Sequence, residues 1–153
     1  MRITLLAVGR LRSKPLRELC DEYLARLARY GPASVEEVKA AENGSAAQRA
    51  AQESARLLAA LQPSDQLCML DERGAQVTSV QLSELLQSHE LRSTKRLVFV
   101  LGGPFGVSDA LRARGKLLAL SRLTLPHELC RAVLLEQLYR ARTIQRGEPY
   151  HHA

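Results

Sequence analysis

Tryptophan is absent from this chain, and two phenylalanines with four tyrosines hold its aromatic content to 4%. A core built from such a chain must be aliphatic. The scarcity also argues against a platform of stacked aromatics for single-stranded nucleic acid. Cysteine is equally sparse. Cys20, Cys68 and Cys130 are odd in number and far apart, with no CxxC pair. Neither a disulfide framework nor a zinc site is indicated, and no other metal is implied. Reduced, buried thiols in a cytosolic protein are the simple reading. Long apolar runs are missing too. The opening MRITLLAVGR reaches Gly9 after one short apolar run, too little for a signal peptide or a spanning helix. A cytoplasmic protein with no membrane partner is therefore expected.

What is present describes one domain, residues 1–153, long enough to bury about two-thirds of its unfolded surface. The net charge of +6 raises the odds of a polyanionic partner without proving one. Ile3 to Val8 reads as a buried strand. Arg10, Arg12 and Lys14 follow in a loop, either a solvated basic segment or a phosphate contact. Pro15 suits a first helical turn, and Leu16, Leu19, Cys20, Tyr23, Leu24 and Leu27 form an amphipathic stripe. Val35 to Ala40 alternates weakly, as an edge strand would. Ser45 is a candidate N-cap for a helix over Ala46–Leu61, which Pro63 breaks. Gln66 to Leu70 is a further strand, ended by Asp71-Glu72-Arg73-Gly74 as a charged turn with the glycine at positive φ. Thr78 and Gln81 resemble a capping box.

Two more apolar runs, Leu97–Leu101 and Leu117–Leu120, each end in a loop that leads into a helical pattern. The last helix runs from about Glu128 to Arg146. It carries an apolar stripe and a second face of Arg131, Leu135, Tyr139, Arg142 and Arg146, so a cover from a partner subunit is expected. The alternation of short strands with helices means an α/β fold with a largely parallel sheet flanked by helices. Ligands of such sheets bind beyond the carboxyl ends of the strands.

The first loop, Gly102-Gly103-Pro104-Phe105-Gly106, is neither a Walker loop nor a GxGxxG turn. Alone it is equally a tight turn or a ligand loop. The second, Leu120 to His127, sets apolar side chains and turned backbone beside it. Such a pocket suits a flat, weakly charged ligand such as an adenosyl group, and suits a triphosphate poorly.

VFVLGGPFG, SRLTLPHELCRAVLLEQLYRA and the final GEPYHHA, with the opening ITLLAVGRL, resemble the SPOUT methyltransferase superfamily. Within it the chain is most similar to the ribosomal RNA large subunit methyltransferase H family, over essentially its whole length. The resemblance implies an α/β-knot fold with a deep C-terminal trefoil knot, in a homodimer. It implies S-adenosylmethionine as cofactor and methylation of N3 of a pseudouridine in 23S ribosomal RNA of the assembled ribosome. It places Leu70, Gly102, Gly103, Leu120, Ser121, Arg122, Leu123, Thr124, Leu125 and Pro126 at the cofactor. It places His127, Arg140, Tyr150 and His151 near the methyl transfer. Two positions depart from the family pattern. His152 stands where a tail Arg or Lys is common, and Phe105 stands where relatives are often polar.

The chemistry needs a proton acceptor, because a uracil N3 carries a proton. His127, Tyr150 and His151 are the candidates, and Arg140 and Arg142 are candidates to stabilise developing charge or hold phosphates. Simpler roles stand beside these: His127 as a helix-entry residue contacting backbone, the tail as a frayed terminus. Two other functions fit less of the sequence. One is a non-catalytic RNA- or ribosome-binding module of the same fold, and the other is a flavodoxin-like nucleotide binder.

Overall fold

Strand and helix alternate from end to end in the computed structural model, which describes residues 1–152; Ala153 lies outside them. The order is β1 (Arg2–Val8), α1 (Lys14–Ala28), β2 (Ala33–Val38), α2 (Ala46–Ala59), β3 (Gln66–Gln76), α3 (Ser79–Leu91), β4 (Arg96–Leu101), α4 (Asp109–Arg112), β5 (Lys116–Ala119) and α5 (His127–Arg146). The strands form one sheet in the order β2-β1-β4-β3-β5, with every neighbouring pair parallel. The α/β class with a parallel sheet flanked by helices is as the sequence alternation predicts.

β1 and β4 occupy the middle and are buried on both faces, which is why their sequences are continuous apolar runs. β2 lies at an edge and is only half-buried, matching its weak alternation. Successive side chains of a strand point to opposite faces. Ile3, Leu5, Leu97 and Phe99 therefore pack towards α1, α3 and α5. Leu6, Val8, Val98 and Val100 pack with Leu57 of α2 and Leu111 of α4. The helix starts follow their residues. Ser45 and Thr78 cap α2 and α3, each in a reciprocal box with Gln48 or Gln81. The stripe of α1 faces inward apart from Leu19, which is exposed.

Three expectations are corrected. Asp71–Gly74 does not end its strand. β3 continues to Gln76 through a bulge between Leu70 and Ala75, and both parts pair with β5. Gly74 is not at positive φ. It is needed for close approach, since a Cβ there would sit 2.5 Å from the Leu118 amide nitrogen. The helical pattern after the first glycine loop amounts to one turn, α4. The second face of α5 is covered in large part by its own chain: Arg131, Leu135 and Arg142 are buried where α5 packs against α1 and α3, while Tyr139 is half-buried and Arg146 exposed. Among the described residues no helix is long and apolar enough to cross a membrane.

Candidate active site

All strands end on the same side of the sheet. β3, β4 and β5 bring Leu70, Leu101 and Ala119 there, and the loop Leu120–Pro126 folds over them. A recess of about 140 Å³ lies between, walled by Leu70, Leu101, Leu118, Leu120, Leu123 and Leu125. Ser121 and Thr124 supply hydroxyls, and Asp71 and Glu72 supply carboxylates. Among the described residues no lysine or arginine lines it. Asp71 bonds first to Arg73 and then to Arg112, both at 3.0 Å, and these guanidiniums hold its carboxyl well below the usual range. Cys130 closes the recess from α5, and burial pushes its thiol up so that it stays protonated.

Six of the residues expected at the cofactor line this recess: Leu70, Leu120, Ser121, Leu123, Thr124 and Leu125. Gly102, Gly103, Arg122 and Pro126 do not. A side chain at Gly102 would strike Val107, and one at Gly103 would strike the Glu53 carboxylate. These glycines let the loop pack closely. Arg122 reaches outward, its Nε donating to Gln76 at 3.0 Å. Pro126 is the N-cap residue immediately before α5. Asp71, Leu101, Leu118, Ala119 and Cys130 were not singled out from the sequence. Their signal was position alone: Asp71 sits in the β3 bulge, Leu101, Leu118 and Ala119 at the carboxyl ends of β4 and β5, and Cys130 in the first turn of α5.

A second, larger depression of about 1330 Å³ opens at the ends of β1 and β2. Arg10, Arg12, Arg17, Lys39 and Arg49 line it, with Glu37, Glu42, Glu53 and Glu128 between them. Its basic loop is braced. Glu128 accepts the amides of Arg12 and Ser13 at 2.9 and 3.0 Å, and Glu37 accepts that of Leu11 at 3.2 Å. Arg131 reinforces the end of β1, donating to the carbonyls of Val8 and Gly9 at 2.7 Å each and to Glu37.

His127, at the first turn of α5, lines the same groove. Its Nε2 lies 3.4 Å from the Val8 carbonyl. A carbonyl only accepts, so Nε2 carries the proton and Nδ1 keeps a free lone pair. Burial, and then the charge of Arg131, lower its pKa, against the Val8 bond, Glu53 and Glu128. The ring is thus neutral near neutral pH and able to take a proton.

The other expected catalytic residues lie elsewhere. Gly147, at φ +66°, turns the chain back after α5. Tyr150 packs edge-on against Tyr139 at 4.7 Å, and its hydroxyl donates to Glu136 at 3.1 Å and meets the Tyr23 hydroxyl at 3.3 Å. Arg140 pairs with the same Glu136 and lies 4.6 Å from the centre of the Tyr150 ring. The tail is anchored through Tyr150 rather than frayed. Burial above all, then the bonds to Tyr23 and Glu136, raise the Tyr150 phenol far above its ordinary value. Tyr150 is therefore a donor and a poor proton acceptor. His151 follows it, with Nδ1 buried and unpartnered among the described residues. Between His127 and Arg140 the helix rises about 20 Å at 1.5 Å per residue. One chain keeps His127 with the recess and groove at one end, and Arg140 with Tyr150 at the other.

Among solved structures, the SpoU methyltransferase AviRb of Streptomyces viridochromogenes, crystallised with AdoMet, aligns with a TM-score of 0.45 at 13% identity, over 94% of this chain and 61% of that one. The ribosomal RNA large subunit methyltransferase H of Solidesulfovibrio magneticus is 46% identical over 153 residues, 98% of each chain. The protein of the same name from Trichlorobacter lovleyi is 40% identical over 153 residues, 99% of this chain and 100% of its own. The family model described as a predicted SPOUT methyltransferase matches residues 1–151. The chain therefore belongs to the SPOUT methyltransferase family.

Proposed function

We propose that this protein is an S-adenosylmethionine-dependent methyltransferase of large-subunit ribosomal RNA. In this reading it methylates N3 of a pseudouridine in 23S RNA of the assembled ribosome, as a cytoplasmic homodimer whose C-terminal segment is knotted. The observation that carries it is the placement of a small apolar recess beside a basic groove, with His127 on the groove wall. The names of the full-length relatives supply the RNA.

The recess suits the cofactor chemically. Leucine walls accept a flat adenine, and the Glu72 carboxylate favours a positively charged sulfonium over phosphates, Asp71 being already paired with Arg73 and Arg112. When bound, the cofactor supplies a methyl group for in-line displacement by the base nitrogen. The chain does the rest. Nδ1 of His127 accepts the N3 proton, and the groove cations hold flanking phosphates. Arg140, Tyr150 and His151 lie too far from His127 in one chain, so a second copy brings its tail to the groove. Arg140 then faces the negative charge that develops on the base.

Isothermal titration with S-adenosylmethionine tests the cofactor, and no heat up to millimolar concentration overturns the reading. Ribosomes from a strain lacking this protein test the substrate. Mass spectrometry should find one pseudouridine unmethylated until enzyme and cofactor are added. Gly103→Glu should abolish that methylation. RNA binding with no methyl transfer by the wild-type protein would point instead to a non-catalytic module.

A further inference from the structure

The fold commits its aromatic side chains to packing, with one exception. Phe99 is fully buried, while Tyr23, Tyr30 and Tyr150 all pack around Tyr139. Phe105 is 41% exposed. It does not sit on a loose segment. The Gly106 amide donates to the Gly103 carbonyl at 3.0 Å, closing a four-residue turn with Pro104 and Phe105 at its centre. Gly106 then takes φ +81°, which glycine adopts without steric cost. The base of the turn is wedged, Gly102 against Val107 and Gly103 against Glu53. Glu53 is fixed in turn by the Ala41 amide at 2.9 Å. A rigid base thus holds a phenyl ring out into solvent.

The ring is not alone. The Arg49 guanidinium lies 4.5 Å from its centroid, held by its Nε bond to the Ala41 carbonyl at 3.0 Å. Arg49 and Pro104 both line the basic groove that His127 walls. Phe105 is therefore on the rim of that groove, one side backed by a cation, close to the expected path of a phosphate chain.

We propose that Phe105, backed by Arg49, is a stacking subsite for one unpaired nucleobase adjoining the base to be methylated. This rests on the RNA-methylating function proposed above. RNA loops offer splayed bases, and an aromatic face takes any of them. Arg49 polarises the ring and stands ready for the neighbouring phosphate. A single ring holds a single base, so the contact sets register and does not grip a long strand. The low aromatic content excludes a platform but leaves room for this one contact.

The absence of tryptophan gives a direct test. Phe105→Trp makes the ring the sole tryptophan of the protein. An oligoadenylate hexamer should quench its fluorescence, and an abasic hexamer of equal charge should not. Equal quenching by both, or none by either, overturns the subsite. So would a blue shift with protein concentration in the absence of RNA, which would place the ring between copies. In methylation of ribosomes, Phe105→Ala should raise KM about tenfold, the scale of one base stacked on an aromatic. Its kcat should change little, S-adenosylmethionine affinity should be unchanged, and Phe105→Tyr should restore KM. An unchanged KM overturns the proposal. Wild-type protein that neither binds the cofactor nor methylates would refute the enzymatic reading, and the quenching experiment would still decide the subsite.

Discussion

His127 is poised by opposing influences. Burial and Arg131 disfavour its charged form, while the Val8 carbonyl, Glu53 and Glu128 favour it, and the first group prevails. Its folded pKa thus lies below the unfolded value of about 6.5. The unfolded chain takes up the proton first as pH falls. The stability that His127 contributes is complete above the unfolded pKa and is lost as pH falls towards the folded one. We expect the His127 midpoint, read by NMR titration, to lie below the unfolded value of about 6.5. The acid limb of kcat/KM should follow the lower value. Arg131→Met should move the His127 midpoint upward, because it removes a buried positive charge. It should also cost about 2–4 kcal/mol in denaturant unfolding, since two carbonyls and Glu37 lose their donor. A variant as stable as wild type would mean that Arg131 does not tie β1 to α5. The backbone contact of His127 was legible in the sequence as a helix-entry role. The burial of Arg131 and Arg142 was expected from a partner subunit, and only the packing of α1 and α3 against α5 shows that their own chain covers them.

At the scale of elements, strands and helices were readable because burial imposes their periodicities directly. The errors arose where a distant partner decides. Asp71–Gly74 has turn composition, yet pairing with β5 carries it on as a bulged strand. The leucines after β5 could be assigned to the recess from their place after an apolar run. Asp71, Leu101 and Leu118 could not, because a wall is defined by what stands opposite. The glycine loop was ambiguous for the same reason; Glu53, packed against Gly103, is the distant partner that requires a glycine there. Gly103→Ala should destabilise the fold by about 1–3 kcal/mol through overpacking against that carboxylate. Combining it with Glu53→Ala should cost less than the sum of the single changes. Strict additivity in thermal melts would show that the two do not touch. The tail is likewise a packed element. Deleting residues 150–153 should remove activity and also lower stability by about 1–3 kcal/mol, through the lost Tyr139 contact and Glu136 bond. A melting temperature equal to wild type would mean that the tail is frayed after all.

The whole molecule poses the remaining problem, since the residues proposed to act in methyl transfer fall into two groups about 20 Å apart along α5. Two arrangements can be set against each other. A tail that leaves its Glu136 anchor and folds back within one chain moves Tyr150 and His151 but leaves Arg140 on α5, whereas a symmetric partner can present its own anchored tail, Arg140 included, to the groove. The first must break the Tyr150–Glu136–Arg140 cluster, whereas the second keeps it intact. Mixing two inactive variants distinguishes them. His127→Ala and Arg140→Ala should each be inactive as homodimers. In a mixed dimer with shared sites, one site receives both defects and the other receives none. Random mixing makes half the dimers mixed, each with one intact site, so about a quarter of wild-type activity should return. If each site is built from one chain, every site keeps one defect and the mixture stays inactive. Methylation measured after co-refolding the two variants gives the answer, and an inactive mixture containing proven mixed dimers would exclude the shared site.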